Sequence, residues 1–248
     1  MANSVTKTKH SFSYWQWRVI LSTMVGYSVY YFVRKNFSFA MPALGEEYGI
    51  TNTSFGIILT LVGLIYGVSK FINGIISDRT NARWHLALGL GICVILNMIF
   101  GWSDRLSHLI TGNESGPDFV NAMVVIMAIL LVLNNIFQGC GFAPCNHLLA
   151  HWIPPKELAT KTALWNTSHS IGASIVSVIC GYIIASTGDW RYCFWLPALI
   201  AAAGVIFVIA TLRDTPASVG LPELEDTRTE LDDDDSTEAF RAFLAKKV

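Results

Sequence analysis

Six apolar runs, each long enough to cross a bilayer, leave this 248-residue chain little choice of fold. They lie at roughly 17–41, 54–76, 84–102, 119–149, 162–186 and 192–212, near or above the twenty or so residues that a spanning helix needs. Within lipid a backbone amide must find its partner inside its own segment, so runs of this kind form helices. Only 14% of the residues are charged, against about a quarter in soluble domains. The first run is too long and too polar to be a cleaved signal peptide. The expected fold class is an all-α integral membrane protein with six transmembrane helices.

Charge in the short loops sets the expected orientation. Lys7, Lys9 and Arg18 precede the first run, Arg79 and Arg83 follow the second, Lys156 and Lys161 separate the fourth and fifth, and Arg213 follows the sixth. The alternate loops hold only Arg105 and Arg191, with Glu46 and Glu47 in the first of them. Positive residues collect on the cytoplasmic side, so both termini are expected there, with the chain multi-pass in the cell's inner (plasma) membrane. Residues 1–220 carry 13 Lys and Arg against 9 Asp and Glu, but residues 221–248 carry 4 against 9. The acidic stretch from Glu223 to Glu238 reads as a solvated linker.

The first run is organised around charge. Tyr27, Tyr31, Arg34 and Ser38 fall at i, i+4, i+7 and i+11, which makes one polar stripe on a helix. Lys35 lies about 100° further round and cannot point where Arg34 points. A charge at membrane depth costs a few kcal/mol or more, and by default marks a substrate or ion pathway. Guanidinium presents a planar fork of donors suited to phosphate, with tyrosines one and two turns below it.

In the second run Gly56, Gly63, Gly67 and Gly74 form a seam that would allow close helix contact. Tyr66, Lys70 and Asn73 form a separate polar line, where Lys70 either snorkels to the interface or faces a pathway. The third run, with Asn97 as its amide, reads as support. In the fourth, Asn134, Gln138, Gly141 and Cys145 make a mildly polar stripe that serves either packing or a pore. In the fifth, His169 falls near mid-membrane beside Asn166 and Ser170. It either bonds a neighbouring helix or, because imidazole titrates near physiological pH, grips a dianion. The five cysteines sit in or beside apolar runs without metal-ligand spacing and read as packing residues. There is no metal site, no cofactor motif, no nucleophile–base pair and no nucleic-acid-binding feature, so an enzyme is not expected.

Gly74-Ile75-Ile76-Ser77-Asp78-Arg79 through Arg83 resembles the cytoplasmic loop motif of the major facilitator superfamily. By that resemblance Gly74, Asp78, Arg79 and Arg83 form a gating loop that latches helix ends in one access state. The narrower resemblance is to the organophosphate:phosphate antiporter family, which includes glycerol-3-phosphate and hexose-6-phosphate transporters and a related sugar-phosphate sensor. It is carried by Tyr31-Phe32-Val33-Arg34-Lys35-Asn36-Phe37 through Met41-Pro42, by Tyr66-Gly67-Val68-Ser69-Lys70-Phe71 and by Gln138-Gly139-Cys140-Gly141 through Pro144-Cys145. Leu164-Trp165-Asn166-Thr167-Ser168-His169-Ser170-Ile171-Gly172 and Arg213-Asp214-Thr215-Pro216 through Gly220-Leu221-Pro222 complete it, in order from Trp15 to Pro222. The chain departs from the family at Phe142-Ala143-Pro144, where many relatives carry Trp-Pro-Pro, and at Gly172-Ala173, where paired glycines are common.

The resemblance implies the N-terminal six-helix half of a twelve-span fold, built as an inverted three-plus-three repeat. Gly188-Asp189-Trp190-Arg191 faintly echoes Asp78 to Arg83, as such a repeat requires. The expected parts are a cytoplasmic segment at 1–14, a bundle at 15–213, an acidic linker at 214–239 and an amphipathic lead at 240–248 towards a seventh span. The expected substrate-binding residues are Arg34, Lys70, His169, Tyr27, Tyr31, Tyr66 and Asn166. The implied function is exchange of a phosphorylated small molecule for inorganic phosphate by alternating access. The implied partner is a second six-helix half or a second copy, and the half alone is expected to be inactive. The alternative is a sugar-phosphate sensor of the same fold signalling to a membrane kinase.

Overall fold

The computed structural model describes residues 11–224, all helix and connecting turns. Its helices are α1 (Phe12–Tyr48), α2 (Asn52–Ser77), α3 (Ala82–Phe100), α4 (Ser103–Thr111), α5 (Pro117–Trp152), α6 (Pro155–Thr187) and α7 (Tyr192–Thr211), followed by a 3-10 turn at Pro216–Val219. Most of the acidic linker and the whole 240–248 segment lie outside the described residues. Ser11, Thr51 and Asn81 open α1, α2 and α3 by accepting a backbone N–H three residues on. Gly49 and Gly188 close α1 and α6 in the left-handed conformation that glycine adopts without strain.

Five of these helices, α2, α3, α5, α6 and α7, are long and apolar enough to cross a membrane by composition alone. The sixth expected span is α1, whose 37 residues carry Arg18, Arg34, Lys35 and several amides and hydroxyls along an otherwise apolar run. It packs through the bundle against α6, α7 and α5, as a spanning helix would. The short α4 has no counterpart among the six apolar runs. It lies against α5, where the Ser107 hydroxyl donates to Phe119 O at 2.6 Å.

The packing pattern repeats. α1 packs mainly on α6 and α7, and α5 packs mainly on α2 and α3, while α3 meets α7 and α1 meets α5. Exchanging the first three spans for the last three leaves that pattern unchanged, which is the inverted three-plus-three arrangement. The two interfaces that this exchange relates, α1 with α6 and α5 with α2, are each tied by a serine hydroxyl and a close glycine, although serine and glycine sit on non-equivalent helices. Ser28 of α1 donates to Ser168 O of α6 at 2.7 Å, and a Cβ at Gly172 would strike the Ser28 backbone. Ser69 of α2 donates to Ile136 O of α5, and a Cβ at Gly139 would strike Ser69. At the start of α3, Arg83 donates to Ile209 O near the end of α7. Before α7, Arg191 donates to Asp104 just past α3 at 2.7 Å, to Asp189 at 3.0 Å and to the Tyr48 hydroxyl at 2.9 Å. The echo between these two loops is therefore geometric as well as verbal.

The close-contact seam is not where the glycine spacing of α2 put it. Nothing lies within 4 Å of a Cβ placed on Gly56, Gly63, Gly67 or Gly74, so in this structure that seam is unfilled. Tight approaches fall instead at Gly139 and Gly172, where α5 meets α2 and α6 meets α1, and at Gly89 against Cys140 of α5 and Gly101 against Trp195 of α7.

At Val33, α1 leaves helical geometry (φ −98°, ψ 15°). The Phe37 N–H, which would ordinarily bond Val33 O, bonds the Asn36 side-chain oxygen at 3.0 Å. The freed Val33 carbonyl accepts from Asn134 at 2.9 Å, Asn97 at 3.1 Å and Gln138 at 3.4 Å. Asn36 in turn donates to Asn97 at 2.8 Å and to Cys193 O at 3.1 Å. The kink is thus one where side chains enter the helix ladder and bond the Phe37 N–H and the Val33 carbonyl. The stripe on α5 is resolved in favour of packing, since both Asn134 and Gln138 face this network and are buried. All five cysteines are buried and unpaired.

Candidate functional site

The polar stripe of α1, the Tyr66–Lys70 line of α2 and the His169 turn of α6 converge on one face. Arg34 stands over the Tyr66 ring with its guanidinium carbon 3.7 Å from the centroid, and 5.4 Å from that of Tyr31. The Lys70 ammonium sits 4.1 Å from the Phe142 centroid and 5.5 Å from that of Tyr66. The His169 ring lies 5.7 Å from Tyr31. Tyr27 stacks on Trp165 at 4.8 Å and meets Tyr31 edge-on at 5.5 Å, with Phe142 completing the patch 5.9 Å from Trp165. An aromatic floor thus carries two cations and an imidazole.

Charge is unbalanced here. Among the described residues neither Arg34 nor Lys70 has a carboxylate within ion-pair distance, and both are held by ring faces instead. A ring quadrupole contributes about 0.5–2 kcal/mol to holding a cation without neutralising it. The guanidinium fork therefore remains available to an anion. Arg34, Tyr31, Tyr66, Lys70 and His169 are half-exposed, so the group forms an open face rather than an enclosed cavity.

Not every expected residue sits alike. Tyr27 is 5% exposed, beneath Trp165, and belongs to the floor rather than the rim. Asn166 is exposed, and its backbone carbonyl, not its amide, pairs with His169 Nδ1. His169 Nε2 lies 3.3 Å from the Ser170 hydroxyl. Ser38 is far along α1 towards the other end, beside Met41 and Pro42. Asn73 leaves the Tyr66–Lys70 line, bonding Ser69 O at 2.9 Å within α2 and His85 Nε2 of α3 at 2.9 Å. Lys35 is exposed away from the group. Phe142 and Trp165 were not among the expected site residues. Trp165 is one turn before His169, so the i, i+4 rule identifies it, whereas Phe142 required the tertiary contact.

Of the loop residues, Arg83 bonds the end of α7 as described. Asp78 lies 3.6 Å from His147 Nδ1 on α5, with most of its side chain exposed. Arg79 is exposed, and Gly74 has open space beside it. Among the described residues no group of His, Cys, Asp and Glu is placed to hold a metal.

Residues 23–248 match the profile of the Major Facilitator Superfamily, and the chain belongs to that family. It is 38% identical over 213 residues to the glycerol-3-phosphate transporter of Bacillus subtilis, covering 86% of this chain and 45% of that one. It is 37% identical over 217 residues to the probable hexose phosphate transport protein of Chlamydia pneumoniae (88% and 44% covered). It is 33% identical over 217 residues to the membrane sensor protein UhpC of Escherichia coli (88% and 45%). The chain spans about half the length of the curated relatives it matches. Among solved structures, the proton:xylose symporter XylE aligns with a TM-score of 0.62 at 16% identity, over 84% of this chain and 47% of that one. That likeness bears on the fold alone.

Proposed function

We propose that this chain supplies one wall of a binding site for a phosphorylated small molecule, in a transporter that exchanges it for inorganic phosphate. The observation that carries the reading is the unpaired Arg34 over Tyr66, with Lys70 and His169 on the same aromatic floor. A dianion replaces the missing carboxylates, the Arg34 fork binding it bidentately and Lys70 adding a point charge. The relatives named as glycerol-3-phosphate and hexose phosphate transporters support phosphate esters as the substrate class. Alternating access then rocks this bundle against a second six-helix unit, with Asp78 and Arg83 holding helix ends in one state. The orientation with both termini in the cytoplasm completes the reading.

Trp165, stacked at the floor of the group, provides the readout. Titrating the purified protein with glycerol-3-phosphate, glucose 6-phosphate or inorganic phosphate should quench tryptophan emission saturably, and glucose should not. An equal response to unphosphorylated glucose would remove phosphate recognition from this face. The similarity to UhpC supports a second reading, a sensor that binds the same ligand and signals to a membrane kinase. Counterflow of labelled phosphate in vesicles favours transport; ligand-dependent kinase activation without counterflow favours sensing.

A further inference from the structure

At the end of the bundle where α1 starts and α7 stops, three arginines from three parts of the chain gather round the last turn of α7. Arg18 of α1 donates to Thr211 O at 3.1 Å and Ala210 O at 3.4 Å. Arg83 of α3 donates to Ile209 O. Arg213, just past α7, donates to Leu212 O at 2.7 Å and Ala210 O at 3.4 Å. A helix C-terminus offers only about half a negative charge, so most of the three positive charges stay uncompensated. Among the described residues none of the three has a carboxylate within 4.0 Å. Asp214, next to Arg213 in the sequence, accepts from the Ala82 N–H at 2.8 Å. Burial, and then the charges of Arg83 and Arg18, hold the Arg213 pKa below its ordinary value. At the opposite end Arg191 meets Asp104 and Asp189 directly, so the deficit is local.

We infer that Arg18, Arg83 and Arg213 form a binding site for the phosphodiester headgroup of an anionic phospholipid. Each guanidinium has five N–H donors, and the carbonyls of α7 use only some of them. Arg83 Nε has no partner among the described residues but is buried, so Arg83 would offer its terminal nitrogens. The depth is that of a headgroup. Arg18 lies over the Trp15 ring at 4.7 Å and Arg83 beside Trp84 at 5.2 Å, and Trp84 is 47% exposed, as an interfacial tryptophan is. Basic pockets between spanning helices on the cytoplasmic side are where anionic headgroups bind. The inference rests on the proposed orientation, which places this end in the cytoplasmic leaflet, but not on the substrate reading.

The test is native mass spectrometry of the full-length protein released from nanodiscs of cardiolipin, phosphatidylglycerol or phosphatidylcholine, with inorganic phosphate as a separate arm. Cardiolipin and phosphatidylglycerol adducts should persist and phosphatidylcholine adducts should not. Each of R18Q, R83Q and R213Q should weaken retention by about fivefold, as expected for one basic residue near an anionic surface. Arg213 bonds only its own turn, so R213Q keeps the test valid if the other variants misfold. R34K should retain the lipid, which separates this site from the proposed substrate face. Equal retention in R213Q, equal retention of phosphatidylcholine, or displacement of lipid by millimolar inorganic phosphate would overturn the proposal. So would anionic lipid binding only after the acids of 223–238 are neutralised, because the chain's own acidic run would then be the occupant.

Discussion

Arg34 occupies a position where an unpaired charge is costly, and a ring face rather than a carboxylate holds it. That arrangement orients the guanidinium while leaving its donors free, which distinguishes a receptor from a structural ion pair. Replacing it by lysine keeps the charge and loses the fork. Arg34→Lys should therefore weaken phosphate-ester binding by roughly 10–100-fold, the worth of a charged hydrogen bond, in the tryptophan-quench titration. Lys35→Ala should change it by less than about twofold, because Lys35 points elsewhere on the helix. Wild-type affinity in Arg34→Lys would end its role as anchor. The ring makes its own prediction: Tyr66→Phe should preserve affinity, whereas Tyr66→Leu should lose about 2–30-fold as the cation loses its π-face. Identical behaviour of the two Tyr66 variants would show that the ring does not position Arg34.

At the scale of elements, each helix carries its stability in contacts that periodicity alone does not reveal. The Val33 kink is held by three amides from α3 and α5. Asn134→Leu should lower stability by about 1 kcal/mol, since inter-helix hydrogen bonds in membranes average 0.6 and reach about 1.7 kcal/mol. Unchanged thermal unfolding in detergent would mean that the other two amides satisfy Val33 unaided. Glycine gives a sharper contrast. Gly172→Ala places a methyl against the Ser28 backbone and should cost about 1–3 kcal/mol, the usual range for overpacking. Gly63→Ala meets nothing within 4 Å and should be neutral or slightly stabilising, because alanine is the better helix former. Equal melting temperatures for the two variants would contradict the packing described here.

For the whole molecule, the open site and the unfilled α2 seam have a common consequence. Arg34, Lys70 and His169 are half-exposed, and Leu64, Val68 and Phe71 on α2 are 59–73% exposed beside glycines with nothing packed on them. Under the proposed function, alternating access needs two bundles moving about a site between them, and the described residues form one. The 248-residue chain, purified alone and reconstituted into phosphate-loaded vesicles, should show no organophosphate uptake above empty vesicles. On the proposed function, a second six-helix half, or less favourably a second copy, supplies the opposite wall. Saturable exchange by the chain alone would make the second copy the leading partner and place two Arg34 residues across a two-fold axis.

What the sequence determined by itself was everything that depends on local order. Apolar run length set the spans, because a helix must cross a fixed thickness of lipid. The i, i+4 periodicity aligned Tyr27, Tyr31 and Arg34 on one side of α1, and motif order pointed to the family that residues 23–248 match. Contacts between helices were decided only in the tertiary structure. Asn73 reads as a neighbour of Lys70, yet it bonds His85 because α2 turns that side towards α3. Asn134 and Gln138 fit either a pore or packing until the free Val33 carbonyl appears between them. Phe142 gives no periodic signal, and it joins the site because α5 passes beneath Lys70. Glycine spacing marks where helices are able to approach, but which glycines are met depends on which helix lies opposite. That is a property of the whole bundle and is not written in any one segment.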